Sequence, residues 1–469
     1  MTEKLGSSLI VLGAGGVGSS VLEQIIAGSH NFMRSLGGIV VVDSGHLVLI
    51  PYDSNLGAVN EEHLKLVLEA KRKVVDGKRG SLGSLRDRLD IREIGELWDY
   101  INKEDLAINT LPTEFSNSES GKKTQDALTA RIREPSPFLL ANHIPISVLY
   151  NILAMQEGAH VVDASKSAFG KREYYQAINM VASSNCVDYD PNGAIMGPTS
   201  AFAVLRWLTE HSIGIKSVRA ILNGATNYIL GRAKEISVEG ALREAQIRKI
   251  AESDPTADIE GYDPAQKLRV IGNSLDLDVH PKVSGIDDKH RGIDGVTNEY
   301  LQKIRDNGKL KLICTLDTTT REAIVRPEIV SPDDPLYDVD GTQNAIVLTL
   351  DQKLRLIEPG NLDIIRKKDT TKPEPDILKM LLSIYRHTTT ISANGTSTVR
   401  VTYPSLSEGH RVYNHYKIQF VYDPRRNQLI IKGPGAGAAE TAAALLDAAY
   451  ATLERRGALV VPARKLITL

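Results

Sequence analysis

The sequence predicts an α/β chain of more than one unit, and three observations support that expectation. Ser8–Leu12 is a short apolar run that passes straight into a string of glycines. A second apolar run, Ile39–Val42, ends on an acid, Asp43. Far downstream, the run from Ala345 onward is read as the alternation of a half-buried strand. The chain has 469 residues; at about 100–200 residues per domain, that length accommodates two or three.

The first run and the string after it, Gly13-Ala14-Gly15-Gly16-Val17-Gly18, form G-x-G-x-x-G between a strand and a helix. The first glycine permits the tight turn, the second lets the backbone approach a pyrophosphate, and the third lets the helix pack closely on the strand. The phosphates would sit on the amino terminus of that helix. Val17, Val21, Leu22, Ile25 and Ile26 give it one apolar face. Gly13, Gly15, Gly16, Val17 and Gly18 are therefore candidate cofactor-binding residues of a Rossmann-type dinucleotide-binding domain. Asp43 is placed to accept hydrogen bonds from the adenosine ribose, which favours NAD over NADP because a 2′-phosphate would be repelled. No arginine follows it closely, and His46 is the nearest candidate cation.

Leu106–Thr110 reads as the next strand, with Leu111-Pro112-Thr113 as a loop bordering the nicotinamide. Phe115 to Pro137 is polar and partly helical, and apolar character returns at Phe138–Ala141 and Leu149–Met155. Ala159-His160-Val161-Val162-Asp163-Ala164-Ser165-Lys166 closes a first domain at residues 1–166. A second region then begins, with a strand-like stretch around Tyr175–Val181.

The densest chemistry lies between Glu252 and Lys267, where Asp254, Asp258 and Asp263 precede a lysine one helical turn past an aspartate. If Pro264 occupies the first helical turn, where its missing N–H costs nothing, Asp263 and Lys267 share one helix face. The competing reading is an exposed ion pair on a solvated helix.

Composition narrows the function classes. The net charge of −2 gives no basic field for nucleic acid. Two cysteines imply neither a disulfide framework nor a thiolate zinc site, and they fit a reducing compartment. The first five residues lack a signal's apolar run, and no apolar stretch is long enough to span a bilayer. The expectation is a cytoplasmic protein with a small-molecule substrate.

The segment from Glu252 to Lys267, with Asn223-Gly224-Ala225-Thr226-Asn227-Tyr228-Ile229-Leu230 before it and the glycine turn at the start, resembles the homoserine dehydrogenase family. The resemblance implies a Rossmann-type domain joined to an α+β substrate-binding and dimerisation domain, and reversible hydride transfer between homoserine and L-aspartate 4-semialdehyde. It makes Lys166 and Lys267 the catalytic candidates, and Gly224, Ala225, Glu252, Asp258 and Asp263 the substrate-binding ones. Thr110, Lys166 and Gly437 join the cofactor set. The loop Asp190–Pro198 stands where relatives hold a monovalent cation, Na+ or K+, through backbone carbonyls, which would here belong to Asp190, Gly193, Ile195 and Gly197.

The chain departs from the family pattern in several places. Ala194 and Met196 replace glycines, which is unfavourable wherever the backbone needs φ > 0. Ala225 replaces a threonine, and Ala257 stands where many relatives have an aspartate. These departures leave open a divergent dehydrogenase of a related amino or hydroxy acid, or a cofactor-binding regulatory paralogue with little turnover. The resemblance implies that the strands of residues 167–353 pair across a two-fold axis in a homodimer. An added segment, residues 354–426, contains the polar, proline-interrupted Lys367–Pro375, a helix-like Ile377–Tyr385 and strand-like Thr398–Tyr403 and Tyr416–Tyr422. Residues 427–469 then supply the final glycine-rich turn, Lys432–Gly437, and a helix that in relatives returns to the cofactor domain. The resemblance implies no carboxy-terminal effector module after it.

Overall fold

The computed structural model describes residues 8–28, 36–53, 55–56, 58–75, 78–101, 105–111, 119–133, 144–354, 390–394, 398–402, 417–435 and 437–455. They divide into two compact units. One contains the chain up to Ala194 and the helix residues from Thr441, and the other begins at Ile195.

In the first unit, β1 (Ser8–Leu12), β2 (Gly38–Val42), β3 (His46–Asp53) and β4 (Ala58–Val59) are followed by a two-stranded ribbon, β5 (Val74–Val75) and β6 (Lys78–Arg79). Next come β7 (Asp90–Glu93), β8 (Leu106–Asn109), β9 (His160–Asp163) and β10 (Tyr189–Asp190). The sheet order is β10-β9-β8-β1-β2-β3-β4, with β7 also on β3. Strands β10, β9, β8, β1 and β2 pair in parallel, and this half is the doubly wound architecture expected from the glycine motif. β3 breaks the pattern by returning antiparallel to β2 through a tight turn at Asp43–Gly45. Near-continuous burial of Leu9, Ile10, Val11, Val41 and Ile108 explains why the parallel strands read as unbroken apolar runs rather than alternations. The carboxy-terminal helix, Ala438–Arg455, places Ala442, Leu445, Leu446 and Ala449 in this same core.

The domain limit expected at Lys166 falls short. The helix Arg172–Ser184 and β10, which pairs in parallel with β9, keep the chain in the first unit to Ala194. Tyr175–Val181, read as strand-like, lies within that helix. Its apolar residues Tyr174, Ala177, Ile178 and Ala182 recur at helical spacing and are buried, so the misreading came from β-branched and aromatic content outweighing periodicity.

The second unit is built on a nine-stranded sheet, order β12-β14-β13-β11-β15-β19-β18-β17-β16. Its strands are β11 (Ile215–Ile221), β12 (Lys282–Val283), β13 (Lys309–Asp317), β14 (Ala323–Val330), β15 (Gln343–Leu350), β16 (Thr390–Asn394), β17 (Thr398–Thr402), β18 (Lys417–Asp423) and β19 (Gln428–Pro434). The half-buried alternation expected from Ala345 does not hold: Ala345, Ile346, Val347 and Leu348 are all buried, because β15 is a central strand between β11 and β19, and Ala345 and Val347 join one apolar cluster with Ile221, Ile313 and Leu336.

The strand-like stretches of the added segment correspond to β17 and β18. They extend the sheet rather than standing apart from it, because β18 pairs with β19 and buries Ile418, Phe420 and Tyr422. A boundary at residue 426 would therefore cut a hairpin. The expected helix at Ile377–Tyr385 and the polar linker before it lie outside the described residues. No helix among the described residues is long and apolar enough to cross a membrane.

Candidate active site

The cofactor cradle is formed by the turn after β1. Gly13 has φ +97°, and its N–H donates to Val42 O at 3.0 Å, tying the turn to β2. A side chain on Gly18 would strike Gly13 O at 1.9 Å, whereas one on Gly15 would meet nothing within 4 Å. The turn is closed behind and open in front, as a pyrophosphate requires, and the helix Gly16–Gly28 begins there. Val17 packs on the core rather than facing the opening. Thr110 holds the turn from the neighbouring strand, its hydroxyl donating to Gly13 O at 2.5 Å and within 3.1 Å of Leu12 O.

Asp43 is more committed than its sequence position implied. Its Oδ1 accepts from the N–H groups of Gly45 and His46 at 3.0 and 2.9 Å, and its Oδ2 accepts from Leu82 N–H at 2.8 Å and Lys71 Nζ at 3.2 Å. A carboxylate offers about four acceptor sites, so none is left for a ribose hydroxyl unless a partner is displaced. Burial pushes the carboxyl up, but the three N–H donors and the Lys71 ammonium outweigh it and hold Asp43 below the usual aspartate range.

Lys166 follows β9 in a half-buried turn. A buried polar network fixes this end of the sheet. The Asn109 amide donates to Asn151 Oδ1 at 2.7 Å, the Asn151 amide to Asp163 Oδ2 at 2.7 Å, and the Tyr189 hydroxyl to the same oxygen at 2.9 Å. Ser165 N–H donates to Asp163 Oδ1 at 2.7 Å, one residue before Lys166. Complete burial pushes the Asp163 carboxyl up to about 7 against these donors.

A raised acid binds a proton in the folded chain that the unfolded chain releases, so stability from this group is present below its ordinary value of 3.8 and declines as pH climbs to about 7. Asp163→Asn is therefore expected to gain stability relative to the parent as pH rises through that window, with no further change above it. Urea unfolding at stepped pH checks this, and a stability difference that does not vary with pH would refute it.

The candidate substrate cluster lies wholly in the second unit. Gly261, with φ +79°, starts the helix Tyr262–Ser274, and Pro264 stands in its first turn. Asp263 and Lys267 do share one face, with Lys267 Nζ 2.6 Å from Asp263 Oδ2 and donating to Leu222 O at 2.9 Å. The solvated-pair reading fails, because the Lys267 side chain is only 6% exposed. Among the described residues these two contacts use two of its three donors.

Asn223, not singled out from the sequence as a site residue, organises both acids. It caps the helix Gly224–Arg232 by accepting from Thr226 N–H at 2.8 Å, while its amide donates to Asp258 Oδ1 at 2.6 Å and Asp263 Oδ2 at 2.9 Å. Burial raises the Asp258 carboxyl above its usual range, and Asp263 and Glu252 add to the shift. Glu252 itself is exposed. Gly224 is required sterically, since a side chain there would meet Thr342 O at 2.7 Å, and Ala225 is buried beside it.

Lys311 was also missed. It is 2% exposed, and its Nζ reaches Asn227 Oδ1, Val339 O and Asp340 Oδ1 at 3.0, 2.5 and 3.1 Å. Burial lowers its pKa, with Asp340 opposing. The Asn227 amide reaches the carbonyls of Val339, Gly341 and Gln343 at 3.0–3.1 Å, so this pair ties the loop before β15 to the helix at Asn223. Lys311 lies between Leu310 and Leu312, and nothing in that local pattern signals that the lysine is buried.

The four residues expected to hold a monovalent cation are divided between the units, Asp190 and Gly193 in the first and Ile195 and Gly197 in the second. Met196 adopts φ 52° despite its side chain, while Ala194 is not among the residues with positive φ. Gly437 lies in the second unit, directly before the carboxy-terminal helix. Among the described residues no group of three His, Cys, Asp or Glu side chains could hold a metal ion.

Comparison with known proteins places these motifs. The family model described as homoserine dehydrogenase matches residues 204–361, which contain the whole Asn223–Lys267 cluster. A homoserine dehydrogenase of Sulfurisphaera tokodaii is 37% identical over 209 residues, 44% of this chain and 64% of that protein. One from Methanocaldococcus jannaschii is 26% identical over 388 residues, 81% of this chain and 99% of that protein. The chain thus aligns with just under two thirds of the first relative and nearly all of the second. A hyperthermophilic archaeal homoserine dehydrogenase in complex with NADPH superposes with a TM-score of 0.54 at 17% identity, covering 98% of this chain and 99% of that one, which is a likeness of fold. With the glycine cradle after β1 and the Asn223–Asp258–Asp263–Lys267 cluster both formed, the chain is similar to homoserine dehydrogenases, through residues 204–361 in the family model and over a wider span in the Methanocaldococcus jannaschii protein.

Proposed function

We propose that the protein is an NAD(P)-dependent homoserine dehydrogenase, moving hydride reversibly between the terminal carbon of homoserine and the cofactor and giving aspartate 4-semialdehyde. The observation that supports this most strongly is the buried Lys267, held by Asp263 and Leu222 O with one donor to spare. When bound, the nicotinamide supplies the hydride acceptor at its carbon 4. Lys267 positions the alcohol oxygen and stabilises the negative charge that grows on it as the C–H bond breaks. The hydroxyl proton leaves to an amine, with Lys166 as the second candidate. Asp258, Asp263 and Glu252 are the acids that face the substrate's ammonium.

The residues of the cradle, Gly13 to Gly18 with Thr110, fit a dinucleotide. A preference for NAD is proposed on the negative charge of Asp43 alone, reduced by the Lys71 ion pair. A homodimer through the nine-stranded sheet and a cytoplasmic location remain part of the proposal, the latter resting on a chain with only two cysteines. The test is NADH or NADPH formation with L-homoserine beside L-serine, L-threonine and 4-hydroxybutyrate. Homoserine is expected to give the highest kcat/KM, and faster turnover of any other would overturn the substrate assignment.

A further inference from the structure

One polar side chain near the substrate cluster has no partner. Asn344 is fully buried, and among the described residues neither its Nδ2 nor its Oδ1 makes a hydrogen bond. A buried amide left unmet costs about 1–3 kcal/mol for each group, and a leucine of similar size would avoid that cost. Such a breach of local consistency is expected where a ligand completes the site.

Its place in the fold points to which ligand. Asn344 is the second residue of β15 and pairs with Gly433 of β19. It faces the same side of the sheet as Ile346, which pairs with Ala220, itself paired on its other side with Cys314. That side carries the helix of Lys267, since Cys314 Sγ lies 4.0 Å from Pro264 O. The register Ile221↔Ala345, continued by one step, sets Asn344 beside Leu222, whose carbonyl accepts from Lys267.

A Cβ on Gly435 would meet Asn344 Oδ1 at 3.1 Å and Thr342 O at 2.6 Å, and one on Gly224 would meet Thr342 O at 2.7 Å. Glycine at 435 leaves space against the amide oxygen that a larger residue would fill.

We propose that Asn344 is a specificity-determining residue that receives the α-amino-acid head of the substrate, its Nδ2 donating to the carboxylate and its Oδ1 accepting from the ammonium. Resting on the reading of the protein as an enzyme of homoserine, this adds a group that recognises the end of the substrate away from the reacting carbon. A carboxamide presents one donor and one acceptor side by side, and the zwitterionic head is their complement. Asp258 and Asp263, both bonded to Asn223 just beyond the end of β11, then share the ammonium.

The test is Asn344→Leu in the full chain, followed by thermal unfolding, homoserine kinetics and cofactor titration. The melting temperature should hold or rise, the KM for L-homoserine should rise about 10–100-fold, and cofactor affinity should not change. The preference for homoserine over 4-hydroxybutyrate, which lacks the ammonium, should fall with it. An unchanged KM, or weakening confined to the cofactor, would overturn the proposal. Should the leucine variant fail to fold, Asn344→Asp, which keeps the shape and repels a carboxylate, must raise KM in the same way. If the parent protein oxidises no hydroxy amino acid, the reaction assignment fails separately. Thermal stabilisation by L-homoserine, present in the parent and absent in the variant, would still decide the role of Asn344.

Discussion

Lys267→Ala is expected to lower homoserine oxidation by about 10²–10⁴-fold while the cofactor still binds. The size follows from the position of the ammonium, buried and already oriented by Asp263 and Leu222 O, so that its remaining donor is aimed without reorganisation. The same burial means the substitution will not be silent in stability. Removing one partner of a buried pair leaves Asp263 uncompensated, at a cost of roughly 3–5 kcal/mol in the deep interior, lessened here because Asp263 is partly exposed and keeps the Asn223 amide. A solvated pair would have cost at most about 1 kcal/mol and left the rate alone. Steady-state kinetics with urea unfolding separates the two, and a variant with near-normal turnover would remove Lys267 from the mechanism. Lys166→Ala is expected to lose turnover similarly.

Asp43→Ala is the substitution expected to cost the most stability, about 3–5 kcal/mol, because it strands Lys71 in the interior and frees three backbone N–H groups at once. Cofactor preference should relax only slightly, since the carboxylate already spends its lone pairs on the protein. Equilibrium unfolding of the parent and variant checks this. A stability unchanged within about 0.5 kcal/mol, with a large gain in NADP affinity, would restore Asp43 to the role of a free ribose acceptor.

The contrast at Asp43 shows what the sequence makes legible and where it stops. The strand, glycine turn and helix from Ser8 to Gly28 are local, and each residue type there has one physical reason to be present. The acid at the end of β2 was equally visible. Its partners were not, because Lys71 and Leu82 arrive through an antiparallel β3 that the parallel pattern did not foretell. The spacing of Asp263 and Lys267 placed both heads together, yet only the fold supplies Leu222 O and the Asn223 amide. Lys311, Asp163 and Asn344 are buried polar groups inside apolar strands or at their ends, and burial of that kind is a tertiary property. The strands β17 and β18 were legible as strands, while their membership in the main sheet was not, since the β18–β19 hairpin joins that sheet only through the pairing of β19 with β15, which lies far earlier in the chain.

The central claim is that hydride passes directly from the terminal carbon of homoserine to carbon 4 of the nicotinamide. L-homoserine carrying two deuterium atoms on that carbon, incubated with the protein and oxidised cofactor, tests it most directly. The account predicts reduced cofactor with one deuterium at carbon 4 and aspartate 4-semialdehyde retaining the other. Reduced cofactor without deuterium, or no reduction with homoserine while another hydroxy acid is oxidised, would contradict it.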